Sequence, residues 1–316
     1  MPNVALPQGI GEVAVPPEPA TVAGVLERLK AIQATFREEP LANAPEPPDL
    51  ETALSDLKKD GRDGVVCFNH LYRVITAEIN REIMRGGFFH NNSFLTQFDV
   101  IFADRYLDAI RRYTDPAKYG PAPKCWRILF EYRKDREISP MQFAICGVTC
   151  HVLFDLPIAV VQVCKEMGES LDDRTLGDYL KVNDIFYKKI PKLREHFEDD
   201  FERRFDRSIV KLLANHVCDF IVVQSRDLAW RHANELWGVW DPPDNDKLTE
   251  KKTDLDNFTS YIVRGILWTP QAATETILNT PLLMLRAGLV TLAGRLKGAD
   301  ALRGLRWFTT RPSSQP

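Results

Sequence analysis

The sequence predicts an all-α protein, a single multi-helix orthogonal bundle around one buried central helix, with an extended proline-rich arm at its N-terminus. From residue 49 onward apolar residues recur at helical spacing, and convincing strand patterns are absent. Residues 141–164 also contain no Lys, Arg or Glu. A helix that is apolar on every side is expected to be enclosed by other helices.

Residues 1–48 are predicted to form the arm. Nine of the 21 prolines lie in it, and clustered prolines favour extended, irregular structure. Between two groups of these prolines, residues 21–37 place apolar side chains at helical spacing, which predicts one helix within the arm. Residues 49–316 show no internal repeat and no break in composition, so we expect them to form a single helical domain.

The helices of this domain are placed by apolar spacing and by the residues that end them. Gly86 and Gly87 end the first helix, and Pro242 and Pro243 end a long one, because proline cannot continue a helix. The predicted helices span residues 66–84, 99–113, 126–132, 141–164, 172–189, 208–240 and 276–296, with one more that begins near Pro191.

Charge and cysteine content argue against several classes of protein. The formal net charge is -3, whereas nucleic-acid-binding proteins usually carry a basic excess, so no nucleic-acid partner is expected. The six cysteines form no CxxC pair, and six free thiols suit a reducing compartment. Residues 1–12 lack the basic and apolar regions of a secretory signal. We therefore expect a cytoplasmic protein.

Two predicted helices raise the question of a membrane or a partner chain. The segment 141–164 is long enough to span a bilayer. However, Asp155 would be costly in lipid, so no membrane span is predicted. Residues 276–296 place several leucines opposite Arg286 and Arg295. Packing in the core is the expected role of this amphipathic helix, and a membrane-surface contact or a homodimer is the alternative.

His151 and Asp155 are the most informative pair in the chain. They stand four residues apart and therefore share one face of the apolar central helix. Buried ionisable groups are costly unless they are paired, so this is either a catalytic pair or a hydrogen-bonded pair that fixes the packing. Pro157 lacks a backbone donor, and its position predicts a kink in the helix.

Arg226 and Trp230 are a second candidate pair. They lie one turn apart on the predicted helix 208–240, where a guanidinium can stack beside an indole and hold a carbonyl or carboxylate oxygen. The alternative is a salt bridge from Arg226 to a buried acid, Asp155 or Asp104. The catalytic candidates are His151, Asp155 and Arg226. The substrate-binding candidates are Asp104, Tyr106, Asn183 and Trp230.

A metal site is an open alternative. An H-x-x-x-D helix can supply two metal ligands, and further ligands could come from Asp99, Asp104, His216, Asp219 or His232. None of these has the spacing of a known metalloenzyme motif, and no metal or other cofactor is predicted. The chain has no Walker loop and no GxGxxG, GxSxG or HExxH motif, so ATP, dinucleotides and serine hydrolysis lose support.

Five segments carry a family resemblance. They read FADRYLDAI (102–110), CWRILFEY (125–132), CGVTCHVLFDLPIAV (146–160), DYLKVNDIF (178–186) and RDLAWRHANEL (226–236). In this order they resemble a family of uncharacterised helical proteins, found in actinobacteria and fungi and catalogued as a domain of unknown function. The resemblance implies an all-helical fold and a shared polar cluster, but it implies no reaction.

The central helix of that family usually reads G-x-N-A-H-I-x-x-D-L. Four of its positions are matched here, by Gly147, His151, Asp155 and Leu156. Thr149 replaces the usual Asn and Cys150 the usual Ala.

The proline-rich arm and the divergent central helix resemble fungal members, which implies an enzyme of secondary metabolism. We expect a cofactor-free cyclase or pericyclase, of the norbornene-forming Diels–Alder type, that acts on an apolar terpenoid or polyketide intermediate. Apolar faces with few polar groups suit such a small-molecule substrate, and His151 or Arg226 would polarise a carbonyl group. The alternatives are a metal-dependent hydrolase that uses the His151–Asp155 helix and a non-catalytic helical protein that binds a small molecule.

Overall fold

A computed structural model describes residues 21–36, 63–138, 140–182, 184–185, 225–240 and 244–267. All of these residues lie within one compact unit, Met1–Trp268. The regular secondary structure of the described ranges is helical, with no strand among them, which confirms the predicted all-α class.

The helices of these ranges are labelled in chain order. They are α1 (Val22–Phe36), α2 (Gly64–Arg85), α3 (Asn92–Thr114), α4 (Pro116–Tyr119), α5 (Lys124–Tyr132), α6 (Pro140–Cys150), α7 (Leu156–Met167), α8 (Ser225–Trp240) and α9 (Asn245–Ile266). Residues 173–182 are also helical.

Residues at the helix ends explain where α2 stops and α3 starts. α2 ends at Gly86, as predicted, where φ is +70°, a backbone conformation that favours glycine. The side-chain oxygen of Asn91 accepts a hydrogen bond from the N–H of Phe94 at 3.0 Å and caps α3. α3 therefore begins at Asn92 and not at residue 99, because the capping side chain, which the apolar spacing does not reveal, sets its start.

The predicted buried helix lies at the centre of the bundle. α6, a π-helical turn (His151–Asp155) and α7 form one continuous central helix, around which α2, α3, α5, α8 and α9 pack. It is long and apolar enough to cross a membrane, but 89% of its most apolar window is buried inside the protein. That burial is typical of a core helix, is compatible with a soluble protein and gives no clear membrane span.

Several predictions concern residues outside the described ranges. They include the arm apart from α1, the helix near Pro191, residues 208–224 and the helix 276–296. The domain boundary at residue 48, the homodimer alternative and the cytoplasmic location stay predictions.

Candidate functional site

The central helix changes its hydrogen bonding at the predicted site. From His151 to Asp155 it is a π-helical turn, in which the N–H of Leu156 donates to the carbonyl oxygen of His151. Pro157 has no N–H and cannot donate to Leu153, its α-helical acceptor. π-helical turns inside α-helices are frequent at functional sites. The interruption expected from Pro157 is thus a π-helical turn that includes both candidate residues.

Asp155 accepts two hydrogen bonds on one carboxylate oxygen. Nδ1 of His151 and Nε1 of Trp126 each lie 2.9 Å from Oδ2 of Asp155. All three residues are buried, with at most 3% of their surface exposed. Because the indole nitrogen can only donate, it favours an ionised carboxylate as the acceptor, and the imidazole then donates through Nδ1. Trp126 and Asp155 together therefore set the tautomer of His151.

The other imidazole nitrogen of His151, Nε2, has no hydrogen-bond partner in the described part of the chain. With the proton on Nδ1, Nε2 carries a lone pair and can accept a proton. Burial lowers the pKa of His151 from its usual 6.5, although Asp155 opposes this effect; the charge of Arg226 lowers the pKa further. The ring is therefore neutral at pH 7, and Nε2 is available as a base.

Aromatic side chains hold the imidazole ring of His151 in place. The ring of Phe102 stacks on it, with centroids 3.6 Å apart and an angle of 9° between the planes. The ring of Tyr72 meets it edge-on at 4.6 Å. Three more rings have centroids within 6.3 Å, those of Phe68, Tyr106 and Trp126. This packing limits the imidazole to one orientation.

Gly147 lets α6 approach these rings closely. A Cβ atom at residue 147 would lie 2.2 Å from the ring of Phe68, closer than non-bonded carbon atoms approach each other. Any larger residue would displace Phe68, whose centroid lies 5.8 Å from that of His151. Gly147 thus supports the site through packing. Thr149, which replaces the Asn of the family pattern, is 1% exposed.

A small cavity lies beside His151. Its volume is about 40 Å³, which is room for about three water molecules. The described residues of its lining come from α2, α3, the central helix, residue 182 and α8. They are mostly apolar, but they include the ionisable residues Asp99 and Arg226. Apolar walls with a few placed polar groups are typical of small-molecule sites.

Asp99 lines the cavity, but the sequence did not assign it to the substrate site. It was considered there only as a metal ligand. Its side chain is 2% exposed, and Oδ2 has no hydrogen-bond partner in the described structure. Burial raises the pKa of Asp99 from 3.8 to about 7. Below neutral pH this carboxyl group is mostly protonated and can donate a hydrogen. The available signal was a single acid among the apolar residues 98–102.

Arg226 reaches the cavity from α8. Its guanidinium lies over the ring of Tyr179, 4.9 Å from the centroid, and the Tyr179 hydroxyl donates to the carbonyl oxygen of Arg226 at 2.6 Å. The ring of Trp230 lies 5.1 Å from that of Tyr179. Tyr179 thus contacts both members of the predicted Arg226–Trp230 pair. Of that pair, within the described ranges, Arg226 lines the cavity and Trp230 does not.

The other predicted substrate-binding residues have different surroundings. The carboxylate of Asp104 is 31% exposed and pairs with Arg28 at 3.6 Å and Arg111 at 3.5 Å. Tyr106 is fully buried and packs near the imidazole, but it is not among the described residues that line the cavity. Asn183 lies outside the described ranges.

Metal binding has limited support from the residues that the structure describes. Among them, no group of three or more His, Cys, Asp or Glu side chains is arranged to hold a metal ion. His216 and Asp219, two of the further ligands considered, lie outside the described ranges. The hydrolase alternative therefore has no set of three ligands in the described part of the chain.

The fold and the site define a class of protein, an all-helical bundle with a histidine–aspartate pair beside a buried apolar cavity. Residues 22–268 match the model of a family of unknown function, DUF5995, and the protein belongs to that family. The matched range contains every residue of the site described above. Neither the curated proteins nor the solved structures contain a match to the chain. The match names a family and no reaction, so function has to be argued from the site.

Proposed function

We propose that this protein is a cofactor-free enzyme that moves a proton on an apolar carbonyl compound, with the cavity beside His151 as its active site. One observation carries the proposal: beside the cavity, Nε2 of His151 has no hydrogen-bond partner among the described residues, while Asp155 holds the opposite nitrogen at 2.9 Å. A histidine backed by a carboxylate is an arrangement suited to a general base.

In the proposed reaction, Nε2 of His151 removes a proton from the carbon next to the carbonyl group. The electron pair of that C–H bond forms a C=C bond, and the π pair of the carbonyl group moves to its oxygen. Asp155 stabilises the imidazolium that results, through the hydrogen bond to Nδ1. Arg226, at the edge of the same cavity, stabilises the negative charge that develops on the oxygen.

A cyclase is the finer form of this proposal. The enol or dienol formed by proton removal can attack a second site in the same molecule or enter a cycloaddition, and either route closes a ring without a cofactor. An apolar terpenoid or polyketide intermediate suits the lining of the cavity. Such a molecule is larger than a cavity of about 40 Å³, so the cyclase form of the proposal requires the cavity to widen around its substrate.

Non-catalytic binding is the second candidate. The small volume and apolar lining of the cavity favour retention of a compact apolar ligand. In this case the histidine and aspartate would orient the ligand, and no proton would be exchanged. The alternatives therefore differ in one measurable property, the transfer of a proton between ligand and solvent.

Hydrogen–deuterium exchange on acetone tests the proposal, because acetone is small and carries exchangeable protons next to its carbonyl group. The protein is incubated with acetone in D₂O, and the loss of the methyl proton signal is followed by NMR. We expect wild type to accelerate this loss by at least about tenfold over buffer. His151→Asn retains a donor near the position of Nδ1 but has no Nε2, and it is expected to lose the acceleration.

Asp108→Asn is the matched control, since Asp108 lies on α3 as a partly exposed residue that pairs with Arg112. It should exchange acetone at the wild-type rate. Equal rates in wild type and His151→Asn would contradict the assignment of the base. Acetone that binds without exchange would favour the non-catalytic alternative.

A further inference from the structure

Asp99 differs from the other carboxyl groups that are buried in the described part of the chain, those of Asp63, Asp155 and Asp178. Asp63 pairs with Arg133, and Asp178 accepts hydrogen bonds from the backbone N–H groups of residues 90 and 91 at 2.7 and 2.9 Å. Asp99 is equally buried, yet its Oδ2 has no partner in the described structure. A buried polar atom without a hydrogen bond costs stability. Because this carboxyl group also lines the cavity, its position points to a role toward a ligand.

Asp99 and His151 line the same cavity from opposite elements. Asp99 lies on α3 one turn before Phe102, the residue whose ring stacks on the imidazole at 3.6 Å. Tyr72 lies close to both of them. Its ring meets that of His151 at 4.6 Å, and its pKa is raised by burial and then by the neighbouring Asp99 carboxylate. Among the described residues that line the cavity, Nε2 of His151, Oδ2 of Asp99 and the hydroxyl of Tyr72 have no hydrogen-bond partner. The nitrogen is basic, and the carboxyl oxygen can carry a proton.

We propose that Asp99 is the proton donor of this site, and that the cavity takes a small uncharged carbonyl compound whose oxygen accepts a hydrogen bond from Asp99 and whose α-carbon faces Nε2 of His151. This inference rests on the proposed function and names its substrate class. An uncharged ligand avoids the cost of burying a charge against apolar walls.

The step balances in protons and electrons. The α-proton moves to Nε2 of His151, the C–H pair becomes the C=C bond, and the carbonyl π pair takes the proton of the Asp99 carboxyl group. The products are an enol, an imidazolium and a carboxylate. After the imidazolium exchanges its proton with solvent, the reverse step restores the ketone and both side chains.

The binding of acetone across pH tests this role independently of turnover. Saturation-transfer NMR on the full-length protein measures acetone binding from pH 5.5 to 8.5, with acetate as a charged probe of similar size. We expect wild type to bind acetone at least about tenfold more weakly above pH 7 than below it, because Asp99 then loses the proton that the carbonyl oxygen accepts. Acetate should bind more weakly than acetone at pH 6.

Asp99→Asn separates proton donation from shape. Asn keeps the size and a hydrogen-bond donor but does not titrate, so this variant should bind acetone without a pH step and exchange its protons at least about tenfold more slowly. Asp108→Asn should repeat the wild-type pH step. If the role of Asp99 were purely structural, Asp99→Asn would leave the pH dependence of acetone binding unchanged.

Every other outcome contradicts one part of the proposal. A wild-type profile without a pH step, or a step that persists in Asp99→Asn, removes the role of Asp99. No binding of acetone at any pH, or tighter binding of acetate at pH 6, removes the ligand class. Binding with the expected step but without deuterium exchange retains Asp99 as the ligand donor and contradicts the proposed function, so the two failures are distinguishable.

Discussion

Two buried histidines, His70 on α2 and His151 on the central helix, are hydrogen-bonded in opposite ways. Nδ1 of His70 accepts from the side-chain amide of Gln33 at 2.8 Å. Arg73, which can only donate, lies 2.9 Å from Oε1 of Gln33 and so sets the orientation of that amide. Nδ1 of His70 is therefore the acceptor, and Nε2 carries the proton. At His151 the carboxylate of Asp155 reverses this arrangement and leaves Nε2 as the base.

The surroundings of the two histidines differ as much as their tautomers. Near His70, polar side chains of α1 and α2 bind one another, and Asn69 also donates to the carbonyl oxygen of Leu29 at 2.6 Å. Near His151, the imidazole and Asp99 line a cavity, and each has an atom without a hydrogen-bond partner in the ranges that the structure describes. The hydrogen bonds of such a network stabilise one packing of the helices. Unpartnered groups beside a cavity instead lower stability and are available to a ligand.

The largest effect on stability is expected in the polar network between α1 and α2. Gln33→Leu removes the hydrogen bonds to His70 and Arg73 and leaves a buried guanidinium with one partner fewer. Leaving a buried polar group without its hydrogen bond costs about 1 to 3 kcal/mol, so losing the three bonds that Gln33 makes to His70, Asn69 and Arg73 costs on the order of 5 kcal/mol. Urea unfolding of wild type and variant measures the difference. A loss under about 1 kcal/mol would show that this cluster does not stabilise the packing of α1 on α2.

At the cavity, a substitution is expected to raise the stability of the folded protein instead of lowering it. Burial raises the pKa of Asp99 from 3.8 to about 7, so between these pH values the unfolded chain releases a proton that the folded protein retains, and stability falls as pH rises. Asp99→Asn removes this loss. We expect the variant to be more stable than wild type by on the order of 4 kcal/mol at pH 8, with the difference vanishing near pH 4.

Urea unfolding at both pH values, with Asp108→Asn as the control for loss of a carboxylate on α3, checks this expectation. If Asp99→Asn were less stable by the same amount at pH 4 and pH 8, the carboxyl group would be a structural acceptor and the contrast with the Gln33 network would disappear.

The smallest effect on stability is expected at Trp126, which helps to set the tautomer of His151. Trp126→Phe keeps an aromatic ring but removes the donor to Asp155, at a cost of about 1 to 2 kcal/mol. Nitrogen-15 NMR of the histidine rings should show Nδ1 protonated on His151 and Nε2 protonated on His70 in wild type. With Trp126 replaced, we expect a second tautomer of His151 to become populated. An unchanged spectrum would mean that Asp155 alone sets the tautomer.

The sequence by itself was enough to predict the all-α class, the central helix and the pairing of His151 with Asp155. These features are local, since apolar spacing and a separation of four residues determine which side chains share one face of a helix. The central helix predicted at 141–164 runs from Pro140 to Met167 in the structure. Burial of both ionisable residues followed from their place in an apolar stretch.

Only the tertiary structure decided which distant residues complete the site. Trp126 donates to Asp155 across 29 positions of sequence, and Arg226 arrives from another helix. Asp99 lines the cavity, whereas Asp104 on the same helix pairs with arginines, because five residues turn a helix by about 140°. Helical spacing shows that two acids lie on different faces. Which face meets the imidazole depends on how α3 packs against the central helix, and that is decided by contacts between segments far apart in the chain.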